Sequence, residues 1–257
     1  MSKIRLHKFL ANCGVASRRH SEGFIREGYV RVNDQIITED GFQIDPEVDK
    51  VYFQEKLVKP EPRLYFAINK PRGFVCTNAH FKEPRVVDLF RTKERLYSVG
   101  RLDKDSEGLL IVTNDGELCQ KISHPSYEVP KTYFVTIRGY VDGASLERMQ
   151  KGIWLSDGKT SRTKIKVLKR ARDISSLLVT ITEGKKREIR RIFAKFGFKV
   201  RHLTRIQIGN LHLGNLKPGK FRQISFRELE DTILNYNQNK QESYKARNPR
   251  LAKREHE

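Results

Sequence analysis

Leu6, Phe9, Leu10 and Cys13 follow the i, i+3, i+4, i+7 spacing that gathers apolar side chains on one helix face, and Gly14 suits the position just past that helix. Ser17 can cap a second helix, which carries Ile25 inward and ends at Gly28. Tyr29-Val30-Arg31-Val32 then alternates with the two-residue period of a strand, and Asn33-Asp34 makes the turn. Further strand candidates lie at 35–38 and 51–53. The pattern predicts a helix–helix–hairpin module over residues 1–55. Residues 56–63, with Pro60 and Pro62, read as an inter-domain linker.

Beyond residue 64 the rhythm changes. Short apolar runs at 64–68, 108–113, 132–138, 176–182 and 207–211 predict strands, and 116–122, 143–152 and 187–196 predict helices between them. These elements mix without a regular strand–helix–strand alternation, which favours an α+β domain over a doubly wound sheet. A last helix is predicted over 226–234. Residues 235–257 are polar and basic, the composition of a disordered tail.

Composition narrows the class. A hydrophobic fraction of 37% with 14 Phe and 9 Tyr can build a core, so wholesale disorder is excluded. No apolar run approaches the roughly 20 residues of a membrane helix, and the opening residues lead into no signal-type stretch. Cys13, Cys76 and Cys119 are far apart and form no Cys-x-x-Cys pair, which predicts a cytoplasmic protein with no disulfide framework and no zinc site. The formal net charge of +20 points to a polyanionic partner, most simply nucleic acid. That charge is segregated: residues 160–223 carry 18 Lys/Arg and 3 acidic residues, residues 3–31 carry 7 basic and 2 acidic, and residues 34–49 carry six acidic residues and no basic one. Two separate basic surfaces are expected, and basicity alone does not choose between DNA and RNA.

The stretch richest in chemistry is Gly100-Arg101-Leu102-Asp103-Lys104-Asp105-Ser106-Glu107-Gly108, which feeds into the apolar run Leu109-Leu110-Ile111-Val112. A charged loop at the end of a buried strand is a rigid place to hold a reactive side chain. A solvated acidic turn is the plain alternative. Calcium binding of the EF-hand type fails, because the twelfth position is Asn114 rather than Glu and a buried strand follows.

Gly100-Arg101-Leu102-Asp103 followed by Ser106-x-Gly108-Leu109-Leu110 resembles the signature of RNA pseudouridine synthases, in the branch of ribosomal small-subunit synthase A and large-subunit synthases B, E and F. Asn69-Lys70-Pro71-x-Gly73, Lys131-x-Tyr133 and Glu183-Gly184-x-x-Arg187-x-Ile189-Arg190-Arg191 resemble further motifs of that family, in order. Within that branch, His124-Pro125 followed by Lys131-Thr132-Tyr133 is most similar to the synthase B type. Arg5-Leu6-x-Lys8, Ser17-Arg18-Arg19 and Tyr29-Val30-x-Val32-Asn33 resemble the S4 RNA-binding module that precedes this catalytic domain. Asp34 departs from the glycine often found after the asparagine, which weakens the case for a tight primed turn.

The resemblance implies a small S4-like module joined to a synthase domain over 64–234, with a mixed, mainly antiparallel sheet flanked by helices. It implies a monomer that isomerises uridine in ribosomal RNA, that of the large subunit for the synthase B type, without metal or cofactor. It also implies roles. Asp103 is the carboxylate at the ribose, Arg190 the arginine that keeps it charged, Tyr133 the ring that stacks on the uracil, and Arg101 the side chain that contacts or replaces the flipped nucleotide. Asp105, Glu107 and His124 are assigned to structure. Arg5, Lys8, Arg18 and Arg19 can form one phosphate-facing surface, and Lys185, Lys186, Arg187 and Arg191 a second. Two alternatives remain open on the residues: a non-catalytic S4-type ribosome-assembly factor, and a synthase acting on transfer RNA.

Overall fold

The structure, a computed structural model, describes residues 3–79, 82–123 and 127–236. His124-Pro125 and the predicted tail from residue 237 onward lie outside the described residues. The chain separates into two units. One runs to Leu64 and takes in Arg91–Leu96 and Asn114–Gly116; the other begins at Tyr65.

In the first unit a two-residue strand, β1 (Ile4–Arg5), leads into α1 (Leu6–Asn12). Ser17 accepts a hydrogen bond from the His20 amide at 3.2 Å and so starts α2 (Arg18–Arg26), satisfying one of the amides a helix start leaves unpaired. Leu6, Phe9, Leu10 and Ile25 are buried together with Val30, Val32, Ile44 and Val51. Strands β2 (Val30–Val32), β3 (Gln35–Ile36), β5 (Val51–Phe53) and β6 (Lys56–Leu57) form one antiparallel sheet in the order β3-β2-β5-β6, while β4 (Gln43–Ile44) pairs with β1. Asn33 takes a left-handed conformation at the β2–β3 turn.

The segment read as a linker begins as β6. Gln54 and Glu55 adopt φ of 48° and 59°, which turns the chain straight back from β5. Neither residue carries the Asn or Gly signal of such a turn. Val58 then donates to the Val51 carbonyl and Glu61 to that of Asn12, each at 3.0 Å. The prolines thus follow a strand of the module itself.

The second unit is built on β7 (Tyr65–Lys70), β8 (Tyr97–Val99), β9 (Glu107–Thr113), β10 (Lys131–Arg138), a short hairpin β11 (Trp154–Leu155) and β12 (Gly158–Lys159), then β13 (Lys164–Lys169), β14 (Ile174–Ile181), β15 (Val200–Ile208), β16 (Leu211–His212) and β17 (Phe221–Gln223). Its helices are α3 (Gly116–Ser123), α4 (Gly143–Gln150), α5 (Glu188–Lys195) and α6 (Phe226–Leu229). The main sheet runs β13-β14-β10-β15-β9-β7-β17, with β8 on β9 and β16 on β15. Every pairing in it is antiparallel except β9 with β15. This is the expected α+β architecture. On one side Tyr65, Ala67, Leu109 and Ile111 pack against Leu118 and Ile122 of α3 and against Leu229 and Ile233 near the chain's end.

One predicted boundary moves and one strand goes unpredicted. The apolar run at 207–211 is broken by a turn at Gly209, which packs so closely on the Thr232 carbonyl that no Cβ would fit. The long strand lies before it, where Arg201, His202 and Arg205 interrupt the apolar pattern. The pattern does not predict strand β13, because Lys164 and Lys166 occupy the exposed face of an edge strand.

Candidate active site

The loop between β8 and β9 carries Asp103, and its shape is imposed from beneath. Lys70, the last residue of β7, is fully buried at 0% exposure. Its ammonium donates to three main-chain carbonyls: Pro71 at 3.0 Å, Asp103 at 3.1 Å and Ser106 at 2.7 Å. Burial holds that ammonium below the usual lysine range, opposed by Cys76 and by the carboxylates of Asp103, Asp105 and Glu107. The Ser106 amide closes the turn onto the Asp103 carbonyl at 3.0 Å, and Gly73 donates to Lys104 at 2.8 Å. At the loop's exit Gly108 has φ +110° and lies against the Arg205 backbone, where any Cβ would collide. That contact is the parallel register of β9 on β15, in which Gly108 faces Arg205.

Arg101, Asp103, Tyr133, Lys185, Lys186 and Arg187 line one cavity of about 490 Å³, with Val75, Ile181, Ile189 and Leu203 as apolar wall. The Asp103 side chain is 30% exposed, so its carboxylate is half-buried. Tyr133 is 7% exposed in the middle of β10, between Val179 of β14 and Arg205 of β15. Arg101 is exposed.

The cation nearest Asp103 is Arg187, while Arg190 also feels the Asp103 charge. Arg187 places Nη1 at 3.6 Å from Asp103 Oδ2 and at 3.1 Å from Asp105 Oδ1. Arg190 instead holds the loop: its Nη2 donates to the Asp105 carbonyl at 3.0 Å and to Ser106 Oγ at 3.2 Å, and lies 3.2 Å from Asp105 Oδ2. The reason is local geometry. Arg187 precedes α5 in a left-handed conformation, φ 52°, and reaches over the loop, whereas Arg190 sits one helical turn further in and is 11% exposed. Burial lowers the Arg190 pKa, with Asp105 opposing that effect. Burial raises the Asp105 carboxyl, but the hydrogen bond from Arg187 and the charges of Arg190 and Arg187 outweigh it and leave it below the usual range.

The second expected phosphate-facing set divides. Lys186 is exposed at the cavity and Arg187 faces the two aspartates. Arg191 pairs with Asp157, Nη1 to Oδ2 at 2.9 Å, and Lys185 lies 3.4 Å from Glu183. Counting charges could not foretell these internal partners. In the first unit Arg5, Arg18 and Arg19 are exposed and Lys8 is half-buried on α1.

Sequence reasoning assigns no role to several buried groups. Lys70 stands in a family-like motif without a function. Glu188 is buried and accepts from the Lys185 amide at 3.0 Å. Burial and the neighbouring Glu183 carboxylate push it up to about 8. Lys131 is pushed down to about 8 by burial and by Arg205, with Glu188 opposing. A charged residue inside an apolar-flanked motif is the only signal that could have flagged them. Among the described residues no group of three or more His, Cys, Asp or Glu is arranged to hold a metal ion.

A carboxylate and a tyrosine lining one cavity with exposed Arg101 and Lys186 fit a polyanionic substrate. Residues 64–195 match the RNA pseudouridylate synthase family and residues 4–49 match the S4 domain. The chain belongs to the RNA pseudouridylate synthase family and is an isomerase of that class. It is 41% identical over 232 residues to an RNA pseudouridine synthase of Aquifex aeolicus, covering 89% of this chain and 93% of that one. It is 38% identical to ribosomal large subunit pseudouridine synthase B of Bacillus subtilis, over 88% and 94% of the two chains. A crystal structure of a pseudouridylate synthase superimposes with a TM-score of 0.66 at 32% identity, covering 90% of this chain and all of that one.

Proposed function

We propose that this enzyme converts uridine to pseudouridine in large-subunit ribosomal RNA, with Asp103 as the anionic group at the ribose. The reaction breaks the C1′–N1 bond, turns the uracil and joins C1′ to C5; C5 then gives up its proton and N1 takes one up, so atoms and electrons balance. Charge develops at C1′ as N1 departs, and a carboxylate there serves as it does in glycoside cleavage. The observation that carries this reading is the Asp103 side chain, 30% exposed to a cavity it shares with Tyr133. Arg187 places a guanidinium 3.6 Å from Asp103 Oδ2. Tyr133 supplies the ring for a base taken out of its stack, and Arg101 stands at the rim for the flanking nucleotide. The likeness to the Bacillus subtilis enzyme supports the large-subunit target.

Asp103→Asn keeps the side chain's shape and removes its charge. It is expected to abolish tritium release from C5-labelled uridine in ribosomal RNA while RNA affinity stays within about twofold. Continued turnover by this variant would remove Asp103 from the chemistry. Mapping pseudouridines in ribosomal RNA from cells with and without the gene identifies the target; a difference confined to transfer RNA would overturn the substrate.

A further inference from the structure

Three cations of one segment hold the β11–β12 hairpin. Lys185 Nζ donates to the Lys159 carbonyl at 2.5 Å, Arg191 reaches Asp157 at 2.9 Å and Ser156 Oγ at 3.1 Å, and Lys195 Nζ donates to the Trp154 carbonyl at 2.7 Å. The hairpin's base is closed as well: Thr160 donates to the Ile153 carbonyl at 2.8 Å, and Ile153 donates to Thr160 Oγ1 at 3.0 Å. Gly152, at φ +83°, approaches the Thr160 carbonyl so closely that a Cβ would collide. The hairpin is therefore a fixed element.

What it presents to solvent is Trp154, the single tryptophan of the chain, at 67% exposure. Tryptophan is mostly buried in folded proteins, and the hairpin's anchoring uses backbone carbonyls, Ser156 and Asp157 but not the indole. Trp154 pairs across the hairpin with exposed Lys159. Side chains directly opposite on an antiparallel pair share a face with Cβ atoms about 5 Å apart, so the indole and the lysine stem leave the hairpin on the same side. The Lys185 that grips this hairpin through the Lys159 carbonyl also lines the Asp103 cavity, so one side chain links the hairpin to the site.

We propose that Trp154 stacks on an unpaired nucleobase of the substrate RNA next to the target uridine, with Lys159 meeting the neighbouring phosphate. An aromatic face beside a cation on a rigid base is the chemistry that recognises single-stranded RNA. The assignment rests on the RNA-modifying reading above and adds a substrate-positioning residue to it. The exposed lysines at the hairpin, Lys159 and Lys195, favour a polyanion at this surface.

A single tryptophan makes the test direct. An in vitro transcript of bacterial large-subunit ribosomal RNA is titrated into the full-length enzyme while tryptophan emission is followed. Saturable quenching is expected. By filter binding, which needs no indole, Trp154→Ala should bind roughly tenfold more weakly than the wild type at every salt concentration with an unchanged salt slope, because stacking releases no counterions, and Trp154→Phe should recover most of the loss. RNA binding without any change in emission, or equal affinity of Trp154→Ala, overturns the proposal. So does a concentration-dependent emission change without RNA accompanied by a dimer mass, which would assign the indole to a second copy. Failure of the wild-type enzyme to bind the transcript overturns the ribosomal RNA reading instead, and the stacking role with it.

Discussion

The Lys70 ammonium donates to the main-chain carbonyl of Asp103 at 3.1 Å from a fully buried position, so the loop that presents the carboxylate is held by its backbone and not by its reactive end. The same ammonium serves Pro71 and Ser106. Lys70→Met keeps the stem and leaves the Pro71, Asp103 and Ser106 carbonyls, the last of them buried, without that donor. A loss of about 2 kcal/mol or more in stability is expected, together with a fall in kcat, read by thermal denaturation and tritium release. A variant that melts and turns over like the wild type would show that the loop holds its shape without this cation.

Arg187 and Arg190 should separate in their effects. Arg190 is 11% exposed and hydrogen-bonded to the loop, so Arg190→Gln is expected to lower both melting temperature and kcat. Arg187 is more open and faces the carboxylates. Arg187→Gln should cost about 10²-fold in kcat/KM with little change in melting. Equal loss of stability in the two variants would contradict the division of labour.

Glu188 sets a pH dependence with a definite sign. Its folded-state pKa is raised from the usual 4.5 to about 8, so its protonated form favours folding. The stability this gives is complete below about pH 4.5 and is lost as pH rises towards 8. Lys131, lowered to about 8, acts in the opposite range: its penalty is constant below pH 8 and is relieved above it. Glu188→Gln should therefore melt above the wild type at pH 8, with the advantage shrinking towards pH 5. Parallel melting curves for the two proteins across that window would refute the assignment.

Arg18 and Arg19 are exposed at the start of α2. Replacing both with Ala should weaken binding of ribosomal RNA and reduce the slope of log affinity against log salt by up to about 0.9 per residue. The slope is measured by filter binding between 50 and 300 mM salt, values chosen to span roughly the physiological range. An unchanged slope would remove these arginines from the RNA contact.

The helix face of Leu6, Phe9 and Leu10, the Ser17 cap and the apolar runs of β7, β9, β10 and β14 were legible in sequence because each is a local event: a period, a cap or a turn residue. The ordered motifs around Asp103, Tyr133 and Arg190 likewise identified the family. What local pattern could not say is which charge meets which. That Arg187 and not Arg190 stands nearest Asp103, that Asp157 occupies Arg191, and that Lys70 lies under the loop depend on how β7, β9, β15 and α5 come together from distant parts of the chain. Periodicity records the face a residue turns inward. The partner it finds there is set by packing, and a buried charge has no choice but to satisfy itself with whatever donor or acceptor that packing brings within reach.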